Sequence, residues 1–104
     1  MNTNVNALNK IMGAKLSQEE AELVNLLCLA TGRDALGIMK ASKWSSGLHT
    51  VAGGGACVGI DPARMNGGAW NKLGGLADAA GYVVSVEPAG RDLEVIIKPK
   101  AGKL

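Results

Sequence analysis

A chain of 104 residues with 47% apolar and 19% charged residues suits one globular domain and excludes a disordered or highly charged polypeptide. The net charge of +2 marks no basic half: residues 1–60 carry five Lys/Arg against four Asp/Glu, and residues 61–104 carry six against five. Two Trp, one Tyr and no Phe leave an aliphatic core, and two cysteines, Cys28 and Cys57, are too few for a disulfide scaffold.

The N-terminal "MNTNVNALNK" has no apolar segment of the kind a signal peptide needs, and no apolar run approaches a membrane span. A soluble, cytoplasmic protein with reduced, buried thiols is expected. Val5, Leu8, Ile11 and Met12 fall at helical spacing, so residues 1–16 read as a short helical arm. "LSQEEAELVNLLCLATG" is the clearest helix. Ser17 caps it, Glu20 completes a capping box, and Leu23, Val24, Leu26, Leu27 and Ala30 form its apolar face. Thr31 and Asp34 suggest a second cap opening "RDALGIMKASKW", so residues 17–44 read as helices.

Leu48 to Val51 could form a short strand, while "AGGGACVG" supports no firm assignment, because successive glycines cost a helix about 1 kcal/mol each. Asp61-Pro62 is a helix start with Asp as cap and Pro at the first position. Met65, Ala69, Trp70, Leu73, Leu76, Ala77 and Ala80 then make one apolar stripe, Gly67-Gly68 could break it near its start, and Gly81 sits where a left-handed cap belongs. "YVVSVEPAGRDLEVIIKP" alternates as a β-hairpin with its turn in "EPAGRD", and residues 99–104 form a basic tail.

The run "ACVGIDPARMNGGAWNKLGGLADAAGYVV" resembles a winged helix-turn-helix over residues 48–98. The resemblance implies a small helix ending at a turn at Gly59-Ile60, a recognition helix within 61–80, and a wing formed by residues 82–98. The expected fold is therefore a small α+β, winged-helix-like domain: N-terminal helices, then a helix and a C-terminal β-hairpin.

Such a helix would present Arg64, Asn66, Asn71 and Lys72 to DNA, with Arg91 on the wing and Lys98 on a phosphate. A DNA-binding regulatory protein, of the kind small phage or mobile elements carry, is the leading expectation. The alternative is a small adaptor or phage-type inhibitor that docks on a host protein through the Gly/Ala-rich helix face or the hairpin edge. A homodimer through the apolar "LVNLLCLA" helix would fit either reading.

No enzyme is expected. His49 and Cys57 suggest a nucleophile pair, but no orienting Asn or Asp follows in a recognised pattern. "AGGGA" lacks the Lys-Ser/Thr of a phosphate-binding loop. No metal or other cofactor is implied.

Overall fold

The computed structural model describes residues 10, 16–33, 48–65 and 67–100, with Arg64 represented by its main chain. The expected helices at 1–16 and 33–44 fall outside these residues, apart from Lys10, which is helical, and Leu16 and Arg33, which are not.

Helix α1 spans Gln18–Thr31. Ser17 Oγ accepts the Glu20 amide while Glu20 Oε1 accepts the Ser17 amide, so the capping box closes in both directions. Gly32, at φ +74°, ends the helix by donating its amide to the Cys28 carbonyl, a conformation that side chains resist. Leu23, Val24, Leu26, Leu27 and Ala30 are all buried. The apolar face proposed for dimerisation is thus occupied within the chain, and Leu29, 48% exposed, is the large apolar side chain this helix leaves outside.

The segment 48–60 is a β-hairpin. Strand β1 (His49–Val51) turns through Ala52, Gly53 and Gly54 into β2 (Gly55–Ile60). Gly53 and Gly54 take φ of +95° and +88°, which explains two of the three consecutive glycines. The third, Gly55, has a different cause: a Cβ there would collide with the Ile97 carbonyl oxygen. The small helix implied by the winged-helix resemblance is absent from this segment, and Gly59-Ile60 is the end of β2 rather than a turn. Ala56, Val58 and Ile60 alternate into the core while their main chain pairs with the last strand, and this satisfies a helix-poor, glycine-rich sequence better than a helix could.

The expected helix at 61–80 divides in two. Asp61 caps a single 3-10 turn, Pro62–Arg64, by accepting the Ala63 amide. Gly67 then takes φ +60°, and α2 begins only at Ala69, running to Ala79. A left-handed residue cannot propagate a right-handed helix, so the Asp-Pro signal opens one turn and the glycine pair ends it. The apolar stripe holds across the break: Met65, Ala69, Leu73 and Ala77 are buried, with Trp70, Leu76 and Ala80 packed against the same core.

Gly81, at φ +90°, reverses the chain into β3 (Tyr82–Ala89), which returns through Gly90-Arg91 into β4 (Asp92–Pro99). Gly90 has φ +64° and Arg91 a negative φ, as a type II′ hairpin turn requires. The four strands form one antiparallel sheet in the order β1-β2-β4-β3. Helices α1 and α2 pack against each other and onto one face, α1 over β2 and α2 over β3. The protein is thus a small α+β domain, and its last strand lies inside the sheet.

Candidate functional site

The sheet register divides the side chains between two faces. Ala56, Val58 and Ile60 of β2 stand beside Ile97, Val95 and Leu93 of β4, and these beside Val84, Val86 and Pro88 of β3, all on the helix-covered face. The opposite face carries His49, Cys57, Ile96 and Ser85 in one row, and Gly59, Glu94 and Glu87 in the next. Glu87 and Glu94 are direct cross-strand partners, a like-charge pair that weakens the sheet locally.

The candidate nucleic-acid residues separate in space. Asn71 and Lys72 are exposed in the first turn of α2, and Arg91 is exposed at the β3–β4 turn. Because only Ala80 and Gly81 join α2 to β3, the helix runs antiparallel to that strand, and its first turn lies toward the Arg91 end of the sheet. The 3-10 turn starts at the same end, since Ile60 pairs with Leu93. Arg64 (by its main chain), Asn71, Lys72 and Arg91 therefore gather at one pole. Lys98 does not: it is exposed on the opposite sheet face, six residues up β4 from Asp92, roughly 20 Å away. Asn66 lies outside the described residues.

Acidic groups match the cations of that pole. Asp61 begins the 3-10 turn, Asp92 is buried beside the hairpin turn, and Glu87 and Glu94 follow within a few residues of it. Lys72 and Arg91 thus share this end with four carboxylates, three of them on the sheet face away from the helices. Of the remaining basic groups, Lys100 reaches Asp78 at 2.6 Å across the far end of α2.

The exposed side of α2 is nearly bare. Gly68, Gly74 and Gly75 have no heavy atom within 4 Å of where a Cβ would stand, so internal packing does not require any of them to be glycine.

The sheet places His49 directly across from Cys57, the two residues the sequence suggested as a pair. Chemically the pair is not activated. Burial pushes the Cys57 thiol up to about 12, and the Glu94 carboxylate, which accepts its hydrogen bond, and the Glu87 charge push the same way. A nucleophilic cysteine needs the opposite, a thiolate stabilised by nearby positive charge. Cysteine also lies between the histidine and the carboxylate, whereas a catalytic relay needs the base in the middle. Among the described residues no group of His, Cys, Asp and Glu could hold a metal ion, and no helix is long and apolar enough to cross a membrane. Both cysteines are free of disulfides.

Strand β3 is an outer strand of the sheet, as is the shorter β1. Among the described residues no strand pairs with the outer edge of β3. Val83 is 54% exposed on one sheet face and Val86 is 39% exposed on the other. The Lys100 amide donates to the Gly81 carbonyl, and in an antiparallel ladder such bonds recur at every second residue. Residues 83, 85, 87 and 89 therefore bond to β4, while Tyr82, Val84, Val86 and Pro88 direct their main-chain groups outward. Pro88, with no N–H, occupies an outward position and costs the β3–β4 ladder nothing.

Comparison of the chain with protein-family models, curated proteins and solved structures finds no match.

Proposed function

We propose that this chain is a small protein-binding module that takes up an extended partner segment along the outer edge of β3. The observation that carries this reading is that no strand among the described residues covers the outer edge of β3, which has an exposed valine on each sheet face. Edge strands are commonly protected by lysines, bulges, short length or a covering segment. Residues 82–86 of β3 contain no charge at all, and the protecting residues, Glu87 and Pro88, are confined to one end. A partner strand would gain main-chain hydrogen bonds at Tyr82, Val84 and Val86 and side-chain contacts at both valines.

A labelled peptide covering residues 81–88 is a suitable probe. Titration into the isotope-labelled protein is expected to shift the amide resonances of Tyr82, Val84 and Val86 more than those elsewhere. Shifts confined to α2, or none, would end the strand-addition reading.

Nucleic-acid binding is the second reading, favoured by the gathering of Arg64, Asn71, Lys72 and Arg91 at one pole. It supports a regulatory role of winged-helix type, with α2 as the reading helix. Four carboxylates at the same pole weigh against it, because a polyanion partner requires a net excess of cations there. Fluorescence anisotropy with mixed duplex DNA tests it. Three phosphate contacts would give log K against log salt a slope of about −2.7. Absence of binding at low salt, or binding unchanged by Arg64→Ala with Lys72→Ala, would reject it.

A further inference from the structure

We infer that the segment β3 accepts is β3 of a second copy of this chain, paired antiparallel about a two-fold axis at Val84 to form a continuous eight-stranded sheet. This inference rests on the strand-addition reading above and adds the identity and register of the partner.

Hydrogen-bonding parity limits the choice. Outward main-chain groups lie on Tyr82, Val84, Val86 and Pro88, so in a two-fold antiparallel pair these even-numbered residues must face one another. Three registers merit comparison. With the axis on Val86, Pro88 faces Val84 of the other copy at a bonded position, and the missing N–H loses a hydrogen bond on each side of the axis. With the axis at Ser85, Pro88 faces Tyr82 and again loses a bond, while Glu87 stands opposite the apolar Val83. With the axis on Val84, the bonded pairs are Tyr82 with Val86, Val84 with itself, and Val86 with Tyr82, and every one has its N–H. Pro88 then falls outside the paired block at both ends.

Side chains agree with the same register. Val86 is set beside Tyr82 of the second copy on the helix-covered face, and Val83 beside Ser85 on the other, so both exposed valines gain a neighbour. Glu87, the single charge on the strand, faces Gly81 rather than another carboxylate. A strand that is neutral at its centre and charged only at one end meets no like-charge pair when it meets itself. Helix α2 packs over β3, so the α2 helices of the two copies lie on the same face of the joined sheet. The contact is essentially one strand pair, below the roughly 1,200 Å² of a stable standard interface, so a concentration-dependent dimer is expected rather than a permanent one.

Sedimentation equilibrium combined with amide hydrogen exchange tests the inference on the full chain. As concentration rises, the average mass should climb from one chain toward two. Exchange at Tyr82, Val84 and Val86 should slow in step, while the amides of Val83, Ser85 and Glu87, already bonded to β4, should not change. Val86→Lys and Val83→Lys, both at exposed positions, should each abolish the mass increase and leave the thermal transition of the dilute protein in place. In a mixture of differently labelled chains, a nuclear Overhauser contact from Val83 to Ser85 of the other copy should fix the register. A single-chain mass at every concentration overturns the inference, as does a dimer in which the edge amides keep their dilute exchange rates. If the chain stays monomeric but the 81–88 peptide still shifts the edge amides, strand addition survives and the second copy is the wrong occupant.

Discussion

Gly74 and Gly75 occupy the middle of α2, where glycine is the poorest ordinary helix former. Each loses more conformational freedom on folding than alanine, at about 0.5–1 kcal/mol per position. That penalty can be recovered only where a methyl group fits, and both sites have open space around a built Cβ. Neither glycine has a positive φ, so alanine meets no backbone strain. Gly74→Ala with Gly75→Ala should therefore stabilise the monomer by about 1–2 kcal/mol. In a domain of this size that raises the melting temperature on the order of 5–15 °C. Thermal unfolding followed by circular dichroism, at a concentration low enough to exclude association, measures it. Gly32→Ala serves as the opposite control, because Gly32 also has open space but sits at φ +74° and should lose stability. No gain in the double variant, or a loss like that of the control, would refute the reasoning and mean that the α2 face is covered.

Other substitutions probe the sheet and its thiols. Gly55→Ala should destabilise by on the order of 3 kcal/mol in urea unfolding, because its methyl meets the Ile97 carbonyl, which is main chain and cannot swing away. Leu73→Ala, in the buried centre of α2, should cost about 2–5 kcal/mol in the same assay. Ser17→Ala opens the capping box and should cost about 1 kcal/mol, with helix content at low temperature nearly unchanged. The raised Cys57 thiol holds its proton more tightly folded than unfolded, so its contribution is complete below the ordinary value of 9.0 and is lost as pH climbs toward about 12. Between 9.0 and the ordinary phenol value of 10.0, stability should fall by up to about 1.4 kcal/mol per pH unit, and Cys57→Ala should flatten that slope. Iodoacetamide at neutral pH should modify the half-buried Cys28 well before the buried Cys57, as peptide mass spectrometry would show.

Local signals in the sequence were legible where one short-range rule decided the outcome. The Ser17–Glu20 box, the apolar face of α1, the alternation of the C-terminal hairpin and the cap at Gly81 are each fixed by residues a few positions apart. The segment 55–60 was not legible, because "GACVGI" shows neither a helical nor a clean alternating pattern. It is buried on both faces, and its small residues suit a central strand whose partner lies nearly forty residues away. His49 and Cys57 face each other through the local β1–β2 hairpin, which the glycine run between them left unassigned in the sequence. In the candidate site, Asn71, Lys72 and Arg91 were correctly read as surface residues, but spacing could not show that Lys98 belongs to the other end and face. Nor could it show how many carboxylates share the pole with the cations.

Why β3 rather than β4 is left at the edge follows from the helix-covered face and from proline. Strand β4 places Leu93, Val95 and Ile97 toward the helices and still has Ile96 on the opposite face, half-buried between Cys57 and Ser85. Strand β3 lines the same side with Tyr82, Val84, Val86 and Pro88, of which Val86 and Pro88 are exposed, and its other face carries Val83, Ser85 and Glu87. The strand with Leu, Val and Ile at successive helix-side positions gains more from a neighbour on each edge, so β4 is drawn between β2 and β3. Proline agrees with this order, since Pro88 at an interior position of the bonded ladder would break a hydrogen bond, whereas on an outer edge it breaks none. The order that places β4 inside the sheet therefore leaves β3 as an outer strand among the described residues. Replacing Ser85 and Glu87 with apolar residues would extend the exposed apolar surface of Val83 along the outer strand, which predicts aggregation rather than a tighter, specific partner.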